Sequence, residues 1–332
     1  MCAAALSSVQ LDFFDFEQLS PAGDDEAAQM SLAGPVVPNR AYMITRRCVH
    51  RRFFLRPCKE VEQAFLFCLA VAAQRYGIVI YWVCVLSNHY HLGILDVRGN
   101  YPEFLQFFHS LLARCLNVHV SRWENLWSVE QSGVLHLGDA AAVFDKMVYS
   151  LTNPVKAQLV GKVAHWPGIN ALYFQLTDRP VVAKRPHWFF DKNGDMPDEV
   201  ELRFARPPEF AGLSQEEWAE KISAAVSLEE KKAAELRTKT NGRIVGRKAI
   251  LRQSPFSCPK TSTERRGLRP RVASRNKWRR IELLKANRSF LRSYRRAYER
   301  RRSGGVEVEF PYGTYQLRKL ELVRCQQGPP LQ

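Results

Sequence analysis

Two apolar runs separated by two residues constrain this chain more than any other feature. Residues 78–86 are rich in β-branched and aromatic side chains, and residues 89–95 continue that pattern after Ser87 and Asn88. Runs of this composition favour strands, and a two-residue connection is typical of a tight antiparallel hairpin. The sequence therefore predicts a β-hairpin within a rigid sheet.

Two histidines, His89 and His91, begin the second strand of this hairpin. Successive side chains of a strand alternate between faces, so the two imidazoles share one face and Tyr90 lies on the other. Two neutral imidazoles on one face suit a divalent metal. The ordinary alternative is a pair of histidines satisfied by hydrogen bonds in a half-buried sheet, and the spacing alone leaves both interpretations open.

A tyrosine and an amide follow about sixty residues later. Tyr149 and Asn153 are four positions apart in a segment with helical spacing, which places them on one face of a helix. A deprotonated phenol is a nucleophile, although at its ordinary pKa of ~10 it needs activation. The alternative is a helix tyrosine with its ring in the core and its hydroxyl at the surface.

These motifs together resemble the REP-associated tyrosine transposases, which are single-tyrosine HUH transposases acting on single-stranded DNA. The sequence differs from that family at two positions. Ser87 stands where a proline is common, and Tyr90 stands where an aliphatic residue is usual. The bulkier Tyr90 needs room on the far face of its strand. The resemblance spans residues 38–170 and rests on three runs: Ala41-Tyr42-Met43-Ile44-Thr45-Arg46-Arg47, Asn88-His89-Tyr90-His91-Leu92, and Asn153-Pro154-Val155-Lys156-Ala157 after the tyrosine.

The predicted order of strand, helix, strand, strand, helix, strand and helix is that of an α+β, ferredoxin-like sandwich with an antiparallel sheet. HUH nucleases resemble this fold. The resemblance also implies that His89, His91 and the Asn153 carbonyl oxygen bind Mg²⁺ or Mn²⁺, and that Tyr149 forms a 5′-phosphotyrosine with the cleaved strand. Imidazole itself favours manganese, zinc or other transition ions over magnesium, and the sequence does not choose between them.

Two other functions stay open at this point. The chain could be a non-catalytic DNA-binding protein derived from a transposase, in which the basic segment alone is used. It could also be a zinc hydrolase that uses a metal-bound water, in which Tyr149 is dispensable. The intact set of His89, His91, Tyr149 and Asn153 favours a transposase that cleaves and rejoins single-stranded DNA near hairpins.

Charge is distributed unevenly along the chain. The formal net charge is +16, and residues 243–302 hold 21 Lys and Arg against 3 Asp and Glu. Such a segment is typical of a partner with a phosphate backbone, and a solvated linker is the alternative. We predict a basic, mainly helical C-terminal extension. The candidate DNA-binding residues are Arg46, Arg47, Lys156, Arg243, Arg247, Lys248, Arg279 and Arg280.

The remaining composition bears on compartment and partners. The eight cysteines are scattered without a paired CxxC spacing, which favours reduced thiols. No run approaches the ~20 apolar residues of a membrane span, and the acidic N-terminus does not resemble a signal peptide. We therefore expect a cytoplasmic, nucleoid-associated bacterial protein that does not bind membranes. Whether Tyr149 acts within its own subunit or in a homodimer stays open.

Composition shifts predict four segments. Residues 1–37 are a flexible leader, 38–180 the HUH domain, 181–240 a connector, and 241–332 the basic DNA-binding extension. Within the connector, residues 187–190 and 200–204 are expected to pair as a hairpin, and Ser214 with Glu217 forms a capping box that begins a helix. Asp139 is expected to cap the helix that carries Tyr149.

Overall fold

The computed structural model of the protein describes residues 34–260 and 270–328, so most of the predicted leader lies outside the described residues. Two compact units divide the chain. The main unit contains residues 36–288, and the described part of the C-terminal unit contains residues 34–35 and 289–328. The predicted divisions at residues 180 and 240 are therefore not boundaries between these units.

Both strands and helices occur throughout the described residues. Single turns of 3₁₀ helix occur at Val49–Arg51, Val163–His165 and Pro208–Phe210. The remaining elements, in chain order, are β1 (Arg40–Arg47), α1 (Lys59–Tyr76), β2 (Ile78–Leu86), β3 (His89–Asp96), α2 (Tyr101–His119), β4 (Gly133–Leu137), α3 (Ala140–Leu151), α4 (Asn153–Lys156), α5 (Leu172–Thr177), β5 (Val181–Lys184), β6 (Glu199–Leu202), α6 (Gln215–Lys239), α7 (Arg247–Leu251), β7 (Val272–Ala273), α8 (Lys277–Arg302), β8 (Glu309–Phe310), α9 (Gln316–Lys319) and β9 (Arg324–Cys325).

A five-stranded sheet in the order β2-β3-β1-β4-β7 forms the centre of the main unit. Strands β1 to β4 pair antiparallel, and only β7 joins its neighbour β4 in parallel. The predicted hairpin is confirmed, since β2 and β3 pair from Leu86 and His89 outward across Ser87 and Asn88. The fold is thus a mixture of helices and a mainly antiparallel sheet.

The far face of β3 accommodates the bulky Tyr90. Its ring lies 5.4 Å from Phe65 of α1, 5.9 Å from Phe108 of α2 and 6.0 Å from Trp127, measured between centroids. The side chain is fully buried, and its hydroxyl is hydrogen-bonded to Nε2 of His109. Helices α1 and α2 therefore cover this face, which leaves the face of His89 and His91 to other elements.

Local signals place the helix ends as predicted. The Asp139 carboxylate accepts a hydrogen bond from the Ala142 backbone N–H at 2.7 Å, and α3 begins directly after it. Ser214 and Glu217 form both bonds of the predicted capping box at the start of α6. Helix α1 ends at Gly77, whose φ of +65° is a left-handed conformation that glycine adopts without strain.

One predicted hairpin is wrong in its first strand. Val181–Lys184, rather than residues 187–190, pairs with Glu199–Leu202. The backbone N–H groups of Phe189 and Phe190 both donate to the Pro186 carbonyl, which makes this stretch a turn. Phe190 instead packs on Phe67 of α1, with ring centroids 5.2 Å apart. Residues 187–190 therefore have the aromatic composition of a strand, but their backbone forms a turn and their rings cover a helix.

Helix α6 belongs to the core of the main unit. Trp218 is almost fully buried, its indole N–H donates to the Gln175 side chain at 2.9 Å, and its ring lies 6.0 Å from that of Phe144 in α3. Ile222 and Val226 are buried on the same helix. The segment predicted as a connector thus packs directly on the helix that carries Tyr149.

The C-terminal unit has a small core of its own. Strands β8 and β9 pair in parallel, and Phe310 is fully buried with its ring 5.5 Å from that of Tyr294 in α8. The 26-residue helix α8 runs through the most basic part of the sequence. Within the described residues, no helix combines the length and the apolar character needed to cross a membrane.

Candidate functional site

The site is built around the two histidines of β3. His89 and His91 lie on the face of the sheet opposite Tyr90, and their ring centroids are 5.1 Å apart with the planes almost perpendicular. His91 is only 5% exposed, although it stands two residues from a hairpin turn. The alternation predicted from the sequence therefore places both imidazoles together.

Hydrogen bonds fix the tautomer of both imidazoles. His89 Nδ1 lies 2.7 Å from Asn88 Oδ1, an oxygen that only accepts, so Nδ1 carries the proton. His91 Nε2 lies 3.1 Å from the Asn153 amide nitrogen, which only donates, so the His91 proton is on Nδ1 and is donated to Thr45 Oγ1 at 2.9 Å. Each ring thus has its Nδ1 held by a second partner, as metal-binding histidines do, and the His91 Nε2 lone pair accepts the Asn153 amide N–H.

Burial keeps both rings uncharged. Desolvation, with smaller contributions from the nearby His91 and Arg47, lowers the pKa of His89 to about 3. Burial also lowers the pKa of His91 to about 4, with a smaller contribution from Arg47. Both imidazoles are therefore neutral at pH 7, which is the form that binds a metal.

Tyr149 lies in the last turn of α3, beside His91. The two ring centroids are 5.7 Å apart, and the tyrosine side chain is 39% exposed. Tyr149 and Asn153 do not belong to one continuous helix, because Thr152 interrupts the helix with φ −89° and ψ 1°. Pro154 has no N–H to donate and its ring crowds the preceding turn, which explains the interruption. Both side chains nevertheless lie beside His91.

The donor set fits a transition metal better than magnesium. Two imidazole nitrogens and one amide oxygen suit Mn²⁺ or Zn²⁺, whereas Mg²⁺ prefers oxygen ligands throughout. In this structure the amide nitrogen of Asn153, rather than its oxygen, faces His91. The predicted role of the Asn153 oxygen therefore requires the amide to turn over when a metal binds.

Two lysines flank the tyrosine ring. The Lys156 Nζ is 5.1 Å and the Lys146 Nζ 5.5 Å from the Tyr149 ring centroid. Lys156 also forms an ion pair with Glu229 of α6 at 2.7 Å. Hydrogen bonds from Lys156 and from Lys232 lower the pKa of the Glu229 carboxyl. The i−3 spacing of Lys146 was a signal that sequence analysis missed. Nothing in the sequence indicates Glu229, which is 73 residues from Lys156.

The sheet separates the two arginines at the end of β1. Arg47 pairs with His89 in the ladder and lies on the histidine face, whereas Arg46 pairs with Tyr90 and lies on the opposite face. The Arg46 guanidinium donates to the Glu130 carbonyl oxygen. Of the two, only Arg47 is placed with the histidines, and a DNA contact by either stays a prediction.

A basic groove continues from the segment after α4. Its volume is about 860 Å³, and it lies between residues 160–165, helix α6 and residues 244–247. Of the predicted DNA-binding residues, Arg247 lines it, and Arg243 and Lys248 are exposed nearby in sequence. Three further cations of this groove carry no local signal in the sequence, because they are spread over 76 positions: Lys162, Lys231 and Arg237.

The last two predicted DNA-binding residues begin helix α8. Arg279 and Arg280 are exposed, and Arg279 pairs with Glu282 at 2.9 Å. Trp278 beside them is 76% exposed. An exposed indole next to arginines is the kind of surface on which nucleic-acid bases stack.

No family model and no curated protein matches this chain. Among solved structures, it is similar to a REP-associated tyrosine transposase bound to a REP hairpin, at 15% identity and a TM-score of 0.37, over 49% of this chain and 90% of that chain. It is also similar to a structure assigned as a transposase from Deinococcus radiodurans, at 22% identity and a TM-score of 0.26, over 30% of this chain and 79% of that chain. Likeness at these TM-scores defines neither fold nor activity, which rest on the residues of this chain.

Proposed function

We propose that this protein is a metal-dependent DNA strand transferase of the single-tyrosine HUH type, with Tyr149 as its nucleophile. The observation that carries the proposal is the meeting of an exposed Tyr149 with His91, at 5.7 Å between ring centroids, beside two neutral imidazoles whose Nδ1 atoms are held by second partners. A helix tyrosine kept only for packing has no need of such neighbours. His89, His91 and Asn153 are the residues that would hold Mn²⁺ or Mg²⁺.

The topology supports the same class of protein. Strands β1 to β4 and helices α1 and α2 follow the order strand, helix, strand, strand, helix, strand, and the sheet order β2-β3-β1-β4 is that of a ferredoxin-like sandwich. In this arrangement β1 and β3 are the central strands. The histidines on β3 and Thr45 on β1 are thus held on strands that are paired on both sides, which favours the fixed geometry that a catalytic site needs.

Tyr149 would act on a phosphodiester by direct displacement. Its phenolic oxygen loses a proton to solvent and bonds to phosphorus, and the bond from phosphorus to the 3′ oxygen breaks. The 3′ oxygen takes up a proton from solvent, which leaves a 5′-phosphotyrosine and a free 3′-hydroxyl. A bound metal would supply Lewis-acid stabilisation of the charge that develops on the phosphoryl oxygens. Lys146 and Lys156, whose Nζ atoms lie 5.5 and 5.1 Å from the ring centroid, would attract the negatively charged phosphodiester to the tyrosine. Attack by another 3′-hydroxyl reverses the step and rejoins strands.

The basic surface supports single-stranded or hairpin DNA as the substrate. The groove with Lys162, Lys231, Arg237 and Arg247 begins in sequence at Val160, four residues beyond Lys156. One acidic residue, Glu230, also lines the groove. Its carboxylate accepts a hydrogen bond from the Val163 backbone N–H at 2.7 Å, which holds the loop of residues 160–165 in place. A positive groove provides the electrostatic attraction that non-specific strand binding needs.

Covalent trapping tests the proposal. The full chain is incubated with hairpin DNA bearing single-stranded flanks and Mn²⁺ or Mg²⁺, then analysed by denaturing electrophoresis. With a 3′ label we expect a shifted protein–DNA band that needs metal, because the protein remains on the 5′ end of the downstream fragment. With a 5′ label we expect only a shorter free strand. Native retention of such DNA without a covalent band or cleavage, over a set of hairpins, would favour the DNA-binding protein instead.

Lys156 provides a test of the DNA path. We expect Lys156→Met to weaken single-strand binding and to lower the salt dependence, as the slope of log affinity against log salt, by about 0.7, the value of one phosphate contact. Lys232→Met is the matched control, because Lys232 also pairs with Glu229, at 2.8 Å, but is not one of the lysines at the Tyr149 ring. Equal slopes for the two variants, measured by fluorescence anisotropy, would contradict a phosphate contact by Lys156.

A further inference from the structure

A second group of metal-ligating side chains lies at the junction of α1 and α2. Cys58 precedes α1, Glu60 lies in its first turn, and His119 is the last residue of α2. One ligand atom from each residue lies within 4.8 Å of those of the other two, and the Cys58 Sγ is 3.9 Å from the His119 Nε2. All three side chains are half-buried. They are not part of the His89 and His91 site, since α1 and α2 cover the other face of the sheet.

The local charges favour the ligating forms of two of these side chains. Hydrogen bonding by its own backbone N–H lowers the pKa of the Glu60 carboxyl, which is therefore ionised at neutral pH. Burial lowers the pKa of His119, so its imidazole is neutral. Burial raises the pKa of the Cys58 thiol, while the Arg56 guanidinium acts in the opposite direction. Cys58 is thus the group that must lose a proton for a metal to bind.

We propose that Cys58, Glu60 and His119 form a Zn²⁺ site that links the start of α1 to the end of α2. Sulfur, nitrogen and oxygen donors from three protein residues leave a fourth tetrahedral position for water. On binding, the S–H bond breaks, the proton passes to solvent and a Zn–S bond forms. One thiolate and one carboxylate then balance the two charges of the ion. A thiolate donor selects zinc over magnesium or calcium.

The site has a structural consequence that is independent of DNA chemistry. Cys58 and His119 are 61 positions apart, and joining them fixes two helices whose contact buries Phe65 and Phe108. Zinc binding is expected to stabilise the folded chain, because a ligand that binds only the folded state raises its stability. Covalent trapping by Tyr149 does not require this site, so failure of one proposal leaves the other standing.

The experiment uses Co²⁺ as a spectroscopic substitute for Zn²⁺ in the full chain with the His89→Ala and His91→Ala changes, so that the other histidine pair is absent. We expect one equivalent of Co²⁺ to give a sulfur-to-cobalt charge-transfer band in the near ultraviolet and Zn²⁺ to displace it. Cys58→Ser is expected to remove the band. Cys258→Ser, which changes an exposed cysteine outside the group, is expected to keep it.

A second variant guards against misfolding of the first. His119→Gln removes one nitrogen ligand and keeps Cys58, and we expect it to weaken Zn²⁺ binding and to abolish the rise in melting temperature that one equivalent of Zn²⁺ gives the parent chain. Circular dichroism checks that each variant is folded. A band of equal intensity in Cys58→Ser and its parent, or the absence of a band in the parent, would overturn the proposal.

Discussion

Tyr149→Phe is expected to abolish the covalent protein–DNA adduct and strand cleavage while hairpin DNA is bound with unchanged affinity. The substitution removes one oxygen atom, which in our proposal is the atom that bonds to phosphorus. The ring keeps its position, because its contacts with His91, Lys146 and Lys156 are made by the aromatic face or edge rather than by the hydroxyl. The measurement is covalent trapping on 3′-labelled hairpin DNA, with binding followed in parallel by native gel shift.

Tyr173→Phe serves as the control for Tyr149→Phe. Tyr173 is also an exposed helix tyrosine, at 53% exposure against 39% for Tyr149, and it lies in α5. We expect this variant to form the adduct at the rate of the unaltered chain. Metal-dependent cleavage that persists in Tyr149→Phe would rule out the tyrosine as nucleophile and favour a hydrolase that uses a metal-bound water.

His91→Ala is expected to eliminate cleavage and to weaken Mn²⁺ binding. Loss of a residue that only hydrogen-bonds a metal ligand lowers metal affinity roughly 10–100-fold, and loss of the ligand itself is expected to lower it more. The change takes away an Nε2 ligand, and with it the group that Asn153 contacts at 3.1 Å. Binding of Mn²⁺ is measured by electron paramagnetic resonance and cleavage by trapping. Melting temperature is followed as well, because a nearly buried ring is lost.

Thr45→Val separates the metal role of His91 from a packing role. Valine has nearly the shape of threonine but cannot accept a hydrogen bond from the His91 Nδ1–H, so the ring loses the partner that holds it at 2.9 Å. We expect roughly a 10–100-fold loss of Mn²⁺ affinity or of cleavage. Thr177→Val is the control, because the Thr177 hydroxyl donates only to the Tyr173 carbonyl oxygen in α5. Unaltered metal binding in both His91→Ala and Thr45→Val would contradict the metal site.

Much of the central fold could be predicted from local patterns. The hairpin at Ser87 and Asn88, the cap at Asp139 and the capping box at Ser214 each depend on a few neighbouring residues, whose hydrogen bonds and backbone angles are set locally. The strand predicted at residues 187–190 was wrong because its hydrogen bonds are also set locally, in this case as a turn. Its aromatic side chains resemble those of a strand, but Pro186 begins a turn and the rings are used to cover α1.

The candidate site was predictable only in part. Spacing within one strand places His89 with His91, and spacing along one segment places Tyr149 near Asn153, even though Pro154 interrupts the helix between them. Spacing does not reveal Glu229, which reaches Lys156 from another helix. It also does not reveal the groove cations, because they come from separate elements that the fold brings together.

The sequence by itself determined the strand that carries both imidazoles and the segment that carries the tyrosine, since strand and helix periods fix which neighbours share a face. Only the tertiary structure decided that these two segments meet, that Thr45 orients His91 across 46 positions, and that Arg46 and Arg47 lie on opposite faces. The physical reason is that such contacts depend on sheet register and on how α3 and α6 pack, which are settled by burial of the whole core rather than by any local run.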